Sequence, residues 1–408
     1  MQSVSLSSLA WNHWSIIEMS EQNSRRDFLQ TAAGLTVALS SAEGMNAAGV
    51  PQDSFAGELE WRNKQPGMHY RRLGRTGLMI SEVVSGGDPI SSGNYEQLNL
   101  ALEMGLNYLD MAPAYGNGDC EIAYGKFLGG SAKRDKVFLQ TKVSAYGGLR
   151  NKLYQQVFDD LPSEKQRAIM ARVEEIRGSN LAEKPGYYLT YFPGQHNQFA
   201  GSYLSSAMLP EYGKLVENRP ELRQCIIDSL EGSLKRVGTD HFDLMMCPHG
   251  ANTADEMDSP IIHETFAELK KQGKVRFLGV TSHNDPAATL RKAVALGHYD
   301  AVQMAYNVIN AGYVDQAILE ASAKNIGMIA MKTAHAVATH HKALQPVPQW
   351  RIDKVNRVIP GDLKPPLKAY LWVLQNPHIS AVNSNLWDET FVRENLALAG
   401  KKVEIQPA

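Results

Sequence analysis

Eight short apolar segments, most of them followed by an amphipathic segment with apolar residues three and four apart, predict an α/β protein folded as a parallel (β/α)8 TIM barrel. The 408-residue chain is long enough for one such barrel with insertions. We expect a hairpin before the first barrel strand and a long inserted lid after the third. Apolar residues make up 43% of the chain and charged residues 21%, as in ordinary globular domains, which argues against extensive disorder.

The N-terminal segment has the pattern of an export signal. Arg25 and Arg26 lie in the sequence SRRDFLQT, which a mildly apolar stretch and small residues follow. This pattern is typical of a twin-arginine signal, so we assign it residues 1–48 and expect recognition by the twin-arginine export machinery and a periplasmic or otherwise exported protein. An exposed arginine pair before a short helix is the alternative, and Met19 is a candidate start. Residues 49–66, which are polar and contain Pro and Gly, are expected to form a linker.

The barrel is predicted in two parts, residues 67–144 and 220–408. The first part opens with MHYRRLGRTGLMIS, in which a Gly-centred turn joins two short runs and predicts a hairpin across the bottom of the barrel. The predicted strands cover 82–87, 107–111, 137–143, 242–247, 274–280, 301–307, 326–332 and 379–384. The predicted helices cover 95–105, 222–238, 261–273, 287–297, 314–325, 367–376 and 389–400, and several close on Gly.

The longest predicted connection, residues 145–219, follows the third strand. A connection between a strand and a helix is usually short, and a long one is commonly functional. This segment contains a helical run and the aromatic stretch GYYLTYFPGQHNQFAGSY. It must emerge at the carboxyl ends of the strands, where the active sites of such barrels lie. We therefore predict a lid or substrate-recognition subdomain; an insertion that serves oligomerisation is the alternative.

Polar residues occupy the predicted carboxyl ends of the strands. The second strand ends in LDMAPAYG, which contains Asp110 and Tyr115, the third ends at Lys142, and His249 follows the fourth. Active residues of parallel barrels gather at these ends, so the four side chains are candidate catalytic residues. The other strand ends carry Thr281, Ser282, His283, Asn284, Gln303, Lys332, Asn383 and Ser384.

These motifs resemble those of the aldo/keto reductases. LDMAPAYG, QTKV and DLMMCPHG are similar to the segments that carry the catalytic tetrad of that family, and EGSLKRVGTDHFDL and GKVRFLGVTSH occur in the family's order. The similarity covers residues 68–144 and 220–400. The resemblance implies a (β/α)8 barrel that reduces carbonyl groups with NADPH or NADH.

The resemblance also implies a role for each residue of the tetrad. Tyr115 would be the general acid that protonates the alkoxide left by hydride transfer. Because a free tyrosine titrates near ~10, Lys142 would lower its pKa, and Asp110 would keep the lysine charged and oriented. His249 would donate a hydrogen bond to the carbonyl oxygen. The step from Asp110 to Tyr115 matches the family, whereas His249 follows Asp243 by six residues instead of the usual five.

A nucleotide site follows from the same resemblance. Gln303 resembles the glutamine that holds the nicotinamide carboxamide, and Lys332 stands where it can contact the pyrophosphate in place of the usual aromatic residue. The resemblance implies NADP or NAD as the cofactor, and the positions that usually carry basic residues for a 2′-phosphate hold Asn385 and Phe391, which argues against a preference for NADP. The other residues assigned to the nucleotide are Ser282, His283, Ser384, Glu394 and Asn395.

Composition argues against several other classes of protein. The net charge of −2 argues against a nucleic-acid partner, and no apolar run approaches the ~20 residues of a membrane span. Three cysteines are too few for a disulfide scaffold. His335, His340 and His341 have no carboxylate at ligand spacing, so no metal site is predicted.

The sequence thus predicts an exported oxidoreductase that resembles the aldo/keto reductases and acts on a small-molecule carbonyl or alcohol. A carbohydrate substrate is suggested by the export signal and by the aromatic residues of the insertion, which can stack on sugar faces. Two alternatives stay open: a non-redox acid/base enzyme that catalyses elimination or hydrolysis, and a non-catalytic binding protein on the same barrel. A bound nucleotide that absorbs near ~340 nm distinguishes the first prediction from the alternatives.

Overall fold

Eight parallel strands close into a barrel at the centre of the structure, a computed structural model that describes residues 57–339 and 345–407. The strands of this part of the chain are β1 (Glu60–Trp61), β2 (Tyr70–Arg72), β3 (Leu78–Ser81), β4 (Val83–Gly86), β5 (Tyr108–Asp110), β6 (Phe138–Lys142), β7 (Phe242–Met246), β8 (Val275–Ser282), β9 (Ala301–Ala305), β10 (Gly327–Met331) and β11 (Ala381–Asn385). The barrel runs from β4 to β11, and the pairing of β11 with β4 closes it. The predicted (β/α)8 TIM barrel is confirmed, and each barrel strand falls on a predicted apolar run.

Side chains fill the inside of the barrel. Every residue of β5, β6, β7, β9 and β10 is buried, because strands of a parallel barrel are covered on both faces, and this burial explains their continuous apolar sequences. The interior is therefore a packed core and not a pore. Its members include Tyr108, Phe138, Leu244, Ala301 and Ile329.

The predicted hairpin covers the amino-terminal end of the barrel. β2 and β3 pair antiparallel around a short 3-10 helix, Gly74–Thr76. Leu73, Leu78 and Ile80 belong to the same buried cluster as the residues inside the barrel. The hairpin therefore closes the end of the barrel that lies opposite the carboxyl ends of the strands.

The structure describes residues 57–66 of the predicted linker, and part of this segment contacts the barrel. β1 pairs in parallel with β3, and Arg62 forms ion pairs with Glu60 at 2.7 Å and with the buried Asp243 at 3.3 Å. Ion pairs and backbone hydrogen bonds hold this segment to the barrel. Because polar groups make these contacts, the polar composition of the segment did not distinguish it from a linker. The predicted signal region, residues 1–48, and the first part of the linker lie outside the described residues.

Helices surround the barrel. In the described chain they are α1 (Gln97–Glu103), α2 (Asp119–Leu128), α3 (Ser131–Arg134), α4 (Tyr146–Asp159), α5 (Ser163–Ser179), α6 (Phe199–Val216), α7 (Pro220–Val237), α8 (Pro260–Lys271), α9 (Pro286–Leu296), α10 (Ala311–Ser322), α11 (Gln349–Val358), α12 (Pro365–Leu374) and α13 (Glu389–Leu396). The seven helices predicted around the barrel correspond to α1, α7 to α10, α12 and α13. None of the described helices is long and apolar enough to cross a bilayer.

The insertion of residues 145–219 packs on the carboxyl ends of the barrel strands. It contains α4, α5 and α6, and the aromatic stretch runs from the connection after α5 into the beginning of α6. The fully buried Arg150 lies 3.4 Å from Asp255 in the connection after β7. The Tyr187 hydroxyl donates a hydrogen bond to the carboxylate of Asp285 in the connection after β8. The insertion is therefore anchored on the face where the predicted site lies, and its role as a lid stays a prediction.

Candidate active site

The carboxyl ends of β5 and β6 bring together two of the predicted catalytic residues. β5 ends at Asp110, and the neighbouring β6 ends at Lys142. The Lys142 ammonium donates hydrogen bonds to the Asp110 carboxylate and, at 2.9 Å, to the carbonyl oxygen of Met111. Both charged side chains are about 1% exposed, so the protein and not water determines their orientation.

Three side-chain amides add further hydrogen bonds to Asp110. Oδ1 accepts from Gln140, and Oδ2 accepts from Gln303 at 2.8 Å and from Asn383 at 2.6 Å. The amide oxygen of Gln303 in turn accepts from Gln140. The structure therefore places Gln303, predicted to hold the nicotinamide, in hydrogen-bond contact with the Asp110 carboxylate. Sequence reasoning missed Gln140, although it lies two residues before Lys142 and so on the same face of its strand.

Tyr115 lies at the start of a tight turn after β5. Three consecutive residues of this turn, beginning with Gly116, have positive φ angles of 57°, 52° and 93°. Gly and Asn adopt this conformation most readily, and the sequence GNG supplies them. The turn leaves the Tyr115 ring half-buried, with the Lys142 Nζ 4.7 Å from its centroid.

The electrostatic surroundings of Tyr115 differ from what the resemblance implied. Burial is the main cause that raises the pKa of Tyr115 well above its usual value, and the charge of Asp110 adds to it. The Lys142 ammonium lies beside the ring, but it is in direct contact with Asp110, whose charge offsets part of its effect on this pKa. The hydroxyl of Tyr115 therefore keeps its proton at neutral pH and can donate it.

His249 reaches the same site although its spacing in the sequence is unusual. Its ring lies edge-on to the Tyr115 ring, with 6.0 Å between centroids, and its Nδ1 is 2.8 Å from the Ser144 Oγ. Burial, assisted by the charges of Lys142 and Lys332, lowers the pKa of His249 well below its usual value. The imidazole is therefore neutral at pH 7. When Ser144 donates to Nδ1, the ring hydrogen is on Nε2 and is available to a ligand.

A cavity of about 60 Å³ opens beside Asp110 and Tyr115. Gly86 and Gly87, where β4 ends, form one of its walls. A Cβ atom on Gly87 would lie 2.5 Å from the carbonyl oxygen of Asp110 and 2.7 Å from the Cys120 Sγ, so this wall has no room for a side chain. The cavity reaches the residues that would carry out acid catalysis.

Three predicted nucleotide residues line this cavity, Gln303 together with His283 and Lys332. Lys332 has a φ angle of 57°, unusual for a residue with a side chain, and burial lowers its pKa to about 8. Phe192 of the insertion covers Lys332 and His283: its ring lies 5.3 Å from the Lys332 Nζ and 5.4 Å from the His283 ring. The insertion therefore contributes an aromatic side chain to the immediate surroundings of the cavity.

The structure does not bring two other predicted nucleotide residues, Ser282 and Ser384, to the cavity. Both side chains are fully buried, and each donates to a backbone carbonyl oxygen, at 3.0 Å for Ser282 and 3.2 Å for Ser384. For Ser384 the reason is the alternation of side chains along a strand, which points its two neighbours to the opposite face. Asn383 and Asn385, on either side of Ser384, line the cavity instead.

A second pocket of about 330 Å³ extends from the cavity toward α13. The predicted residues Glu394 and Asn395 lie on its wall, together with the aromatic Trp387 and Phe391. Lys364, which sequence reasoning missed, lies 2.6 Å from the Glu394 carboxylate. Aromatic rings can stack on a base and a cation can bind phosphate, so the residues of this groove fit an extended dinucleotide. The residues shared by both pockets are Ala334, His335, Tyr370 and Asn385.

Of the three histidines considered as metal ligands, one lies in the part of the chain that the structure describes. His335 lines the pockets described above, whereas His340 and His341 lie outside the described residues. In residues 57–339 and 345–407 no three His, Cys, Asp or Glu side chains are grouped so that they could hold a metal ion.

Comparison with known families identifies the chain. The sequence model described as the Aldo/keto reductase family matches residues 90–188 and 213–354, more than half of the chain. The chain belongs to the aldo/keto reductase family. The resemblance predicted from the sequence motifs is therefore confirmed, and family members are oxidoreductases that use NAD(P)H. The matched stretches leave out residues 189–212, which lie in the insertion.

Individual relatives agree with this assignment. The chain is 24% identical over 250 residues to the aldo-keto reductase YhdN of Bacillus subtilis, covering 59% of this chain and 54% of that protein. It is 27% identical over 218 residues to the uncharacterized oxidoreductase YqkF of the same organism, covering 53% and 49%. The chain thus spans about half the length of these curated relatives. An aldo-keto reductase from Bacillus halodurans has the same fold, with a TM-score of 0.52 and 18% identity over 82% of this chain and 92% of that one.

Proposed function

We propose that this protein interconverts a carbonyl compound and an alcohol by hydride transfer with NADPH or NADH. The observation that carries the proposal is the convergence of Asp110, Lys142, Tyr115 and His249 beside a groove that leads to α13. Membership in the aldo/keto reductase family supports the same reaction.

The chemistry divides between the cofactor and the chain. A bound nicotinamide would supply a hydride, which is a proton with two electrons, to the carbonyl carbon. Tyr115 gives its hydroxyl proton to the carbonyl oxygen and becomes a tyrosinate, which takes a proton from water after each turnover. The Lys142 ammonium, 4.7 Å from the ring centroid, stabilises that anion, and Asp110 holds the ammonium in place. The neutral His249 donates a hydrogen bond to the carbonyl oxygen and orients it.

The insertion serves as a lid in this proposal. Phe192 lies over Lys332 and His283, and its position beside the cavity would exclude water from the reacting groups. The same closeness would slow the loss of the nucleotide. Anchoring of the insertion to the connections after β7 and β8 supports this role over one in oligomerisation.

Export and a carbohydrate substrate are the finer parts of the proposal. The segment around Arg25 and Arg26 supports export by the twin-arginine route, which carries folded proteins with a cofactor already bound. Tyr191 and Phe192 support a sugar substrate, since both line a pocket next to the cavity and aromatic rings stack on sugar faces. Free nicotinamide nucleotide is not expected outside the cytoplasm, so an exported reductase needs tight cofactor retention.

Nucleotide binding and turnover test the proposal. The purified protein is expected to bind NADPH or NADH and to oxidise it, seen as loss of absorbance near ~340 nm, when aldehydes or reducing sugars are added. Asn385→Ala is expected to weaken nucleotide binding because the side chain lines the groove, and Ser384→Ala, whose hydroxyl faces the barrel wall, serves as the matched control. Failure of the protein to bind either nucleotide would rule out the proposed function.

A further inference from the structure

A third pocket lies between the insertion and the amino-terminal end of α11. It has a volume of about 390 Å³, within the usual range for small-molecule sites. Tyr191 and Phe192 form the wall on the insertion side, and Arg351 in the first turn of α11 faces them. His335 lines both this pocket and the cavity beside Tyr115. A molecule that reacts in the cavity can therefore extend into this third pocket.

Among the described residues that line the pocket, Arg351 is the only one with a permanent charge; the other polar side chains are Thr190, His335, Thr339 and Gln345. The side chain is half-buried, and its Nε is buried without a hydrogen-bond partner among the described residues. The guanidinium carbon lies 5.5 Å from the centroid of the Trp350 ring, and no described carboxylate lies within ion-pair distance. Buried guanidinium groups elsewhere in the described chain do pair with acids, as Arg134 does with Asp243.

The buried Nε–H of this half-buried cation lacks an acceptor, and an anion in the pocket would supply one together with an opposite charge. The guanidinium is well suited to this role because it can give a carboxylate or phosphate two parallel hydrogen bonds. The first turn of α11 adds a favourable field, since the amino-terminal end of a helix attracts negative charge.

We propose that this pocket holds the part of the substrate remote from the reacting carbonyl, and that Arg351 binds an anionic group there, a carboxylate or a phosphate. The inference rests on the proposed function for the direction from which the substrate reaches Tyr115. Segment 189–212, which the family model does not match, supplies Tyr191 and Phe192. The aromatic wall of the pocket therefore lies outside the family match, whereas Arg351 lies within it.

The test compares an anion with its neutral isostere. 4-(Hydroxymethyl)benzoate and 4-(hydroxymethyl)benzamide, the alcohols of the two matching aldehydes, are titrated by calorimetry into the full-length protein saturated with NADP⁺. We expect the anion to bind about tenfold or more tightly than the amide. Arg351→Gln is expected to abolish this difference and Arg351→Lys to keep part of it. Arg357→Gln, an exposed site on the same helix, is the control and keeps the full difference.

Each outcome decides between the possibilities. Equal binding of anion and amide to the unmodified protein overturns the inference even if no variant folds. A loss of NADP⁺ affinity in Arg351→Gln larger than the loss of anion affinity also overturns it, because the partner would then be the cofactor's phosphate. Selective anion binding without turnover of the aldehydes supports the pocket but contradicts the proposed function. A parallel series with glyceraldehyde 3-phosphate and glyceraldehyde distinguishes phosphate from carboxylate as the preferred group.

Discussion

Replacing Asp110 with Asn removes the counter-charge of a buried ammonium. The substitution keeps the size of the side chain but replaces one acceptor oxygen with a donor at a site where Lys142, Gln140, Gln303 and Asn383 all donate. Lys142 is about 1% exposed, so water cannot replace the lost charge. Breaking a buried ion pair by removing one partner costs about 3–5 kcal/mol, and we expect Asp110→Asn to lose that much unfolding free energy.

A double-mutant cycle measured by urea unfolding tests this reasoning. Lys142→Met removes the ammonium, and the double variant leaves neither charge unpaired. We expect the double variant to lose less than the sum of the single losses, with a coupling free energy of about 1–3 kcal/mol. Asp160→Asn, at an exposed site, is the control and should change stability by less than about 0.5 kcal/mol. Additive losses within about 0.5 kcal/mol would refute the claim that the two residues act as a buried pair.

Three further predictions concern the cofactor, export and the lid. Because the pKa of Lys332 is about 8, its charge is present below that pH and lost above it. NADPH affinity measured by fluorescence should therefore fall as pH rises from about 7 to about 9. Lys332→Met should remove this dependence. A pH-independent affinity in the unmodified protein would contradict a role of Lys332 in binding the nucleotide. Replacing Arg25 and Arg26 with Lys should stop export, and mature protein in the periplasm would argue against the twin-arginine route. Phe192→Ala should speed nucleotide release in stopped flow, and an unchanged off-rate would weigh against the lid.

The barrel could be predicted because its strands are buried on both faces and so appear in the sequence as apolar runs. Two helices on the outside of the barrel, α2 and α11, carried weaker patterns: Gly125 interrupts the first, and polar residues dominate the second. β1 could not be predicted, because two residues in a polar segment carry no periodicity. Its contacts depend on Arg62 meeting Asp243, which lies far away in the sequence.

The tetrad could be predicted from motifs, since each of its residues stands at or after a strand end. The direction in which each side chain points from its strand could not be predicted from these motifs. Ser384 was assigned to the nucleotide, but it points away from the groove that Asn383 and Asn385 line. Gln303 lines the cavity as its prediction requires, but its hydrogen bond to Asp110 could not be predicted, because it joins side chains on strands far apart in the sequence. Such contacts join distant parts of the chain and leave no local pattern.

Transfer of deuterium tests the central claim most directly. NADPH with deuterium at both hydrogen positions on C4 of the nicotinamide is mixed with an aldehyde, and the product alcohol is examined by mass spectrometry. The account predicts deuterium on the carbinol carbon and a rate lowered by about 10²–10⁴-fold in Tyr115→Phe, with nucleotide affinity almost unchanged, because only the proton donor is removed. Unlabelled alcohol, or a Tyr115→Phe variant that turns over at the rate of the unmodified protein, would contradict it.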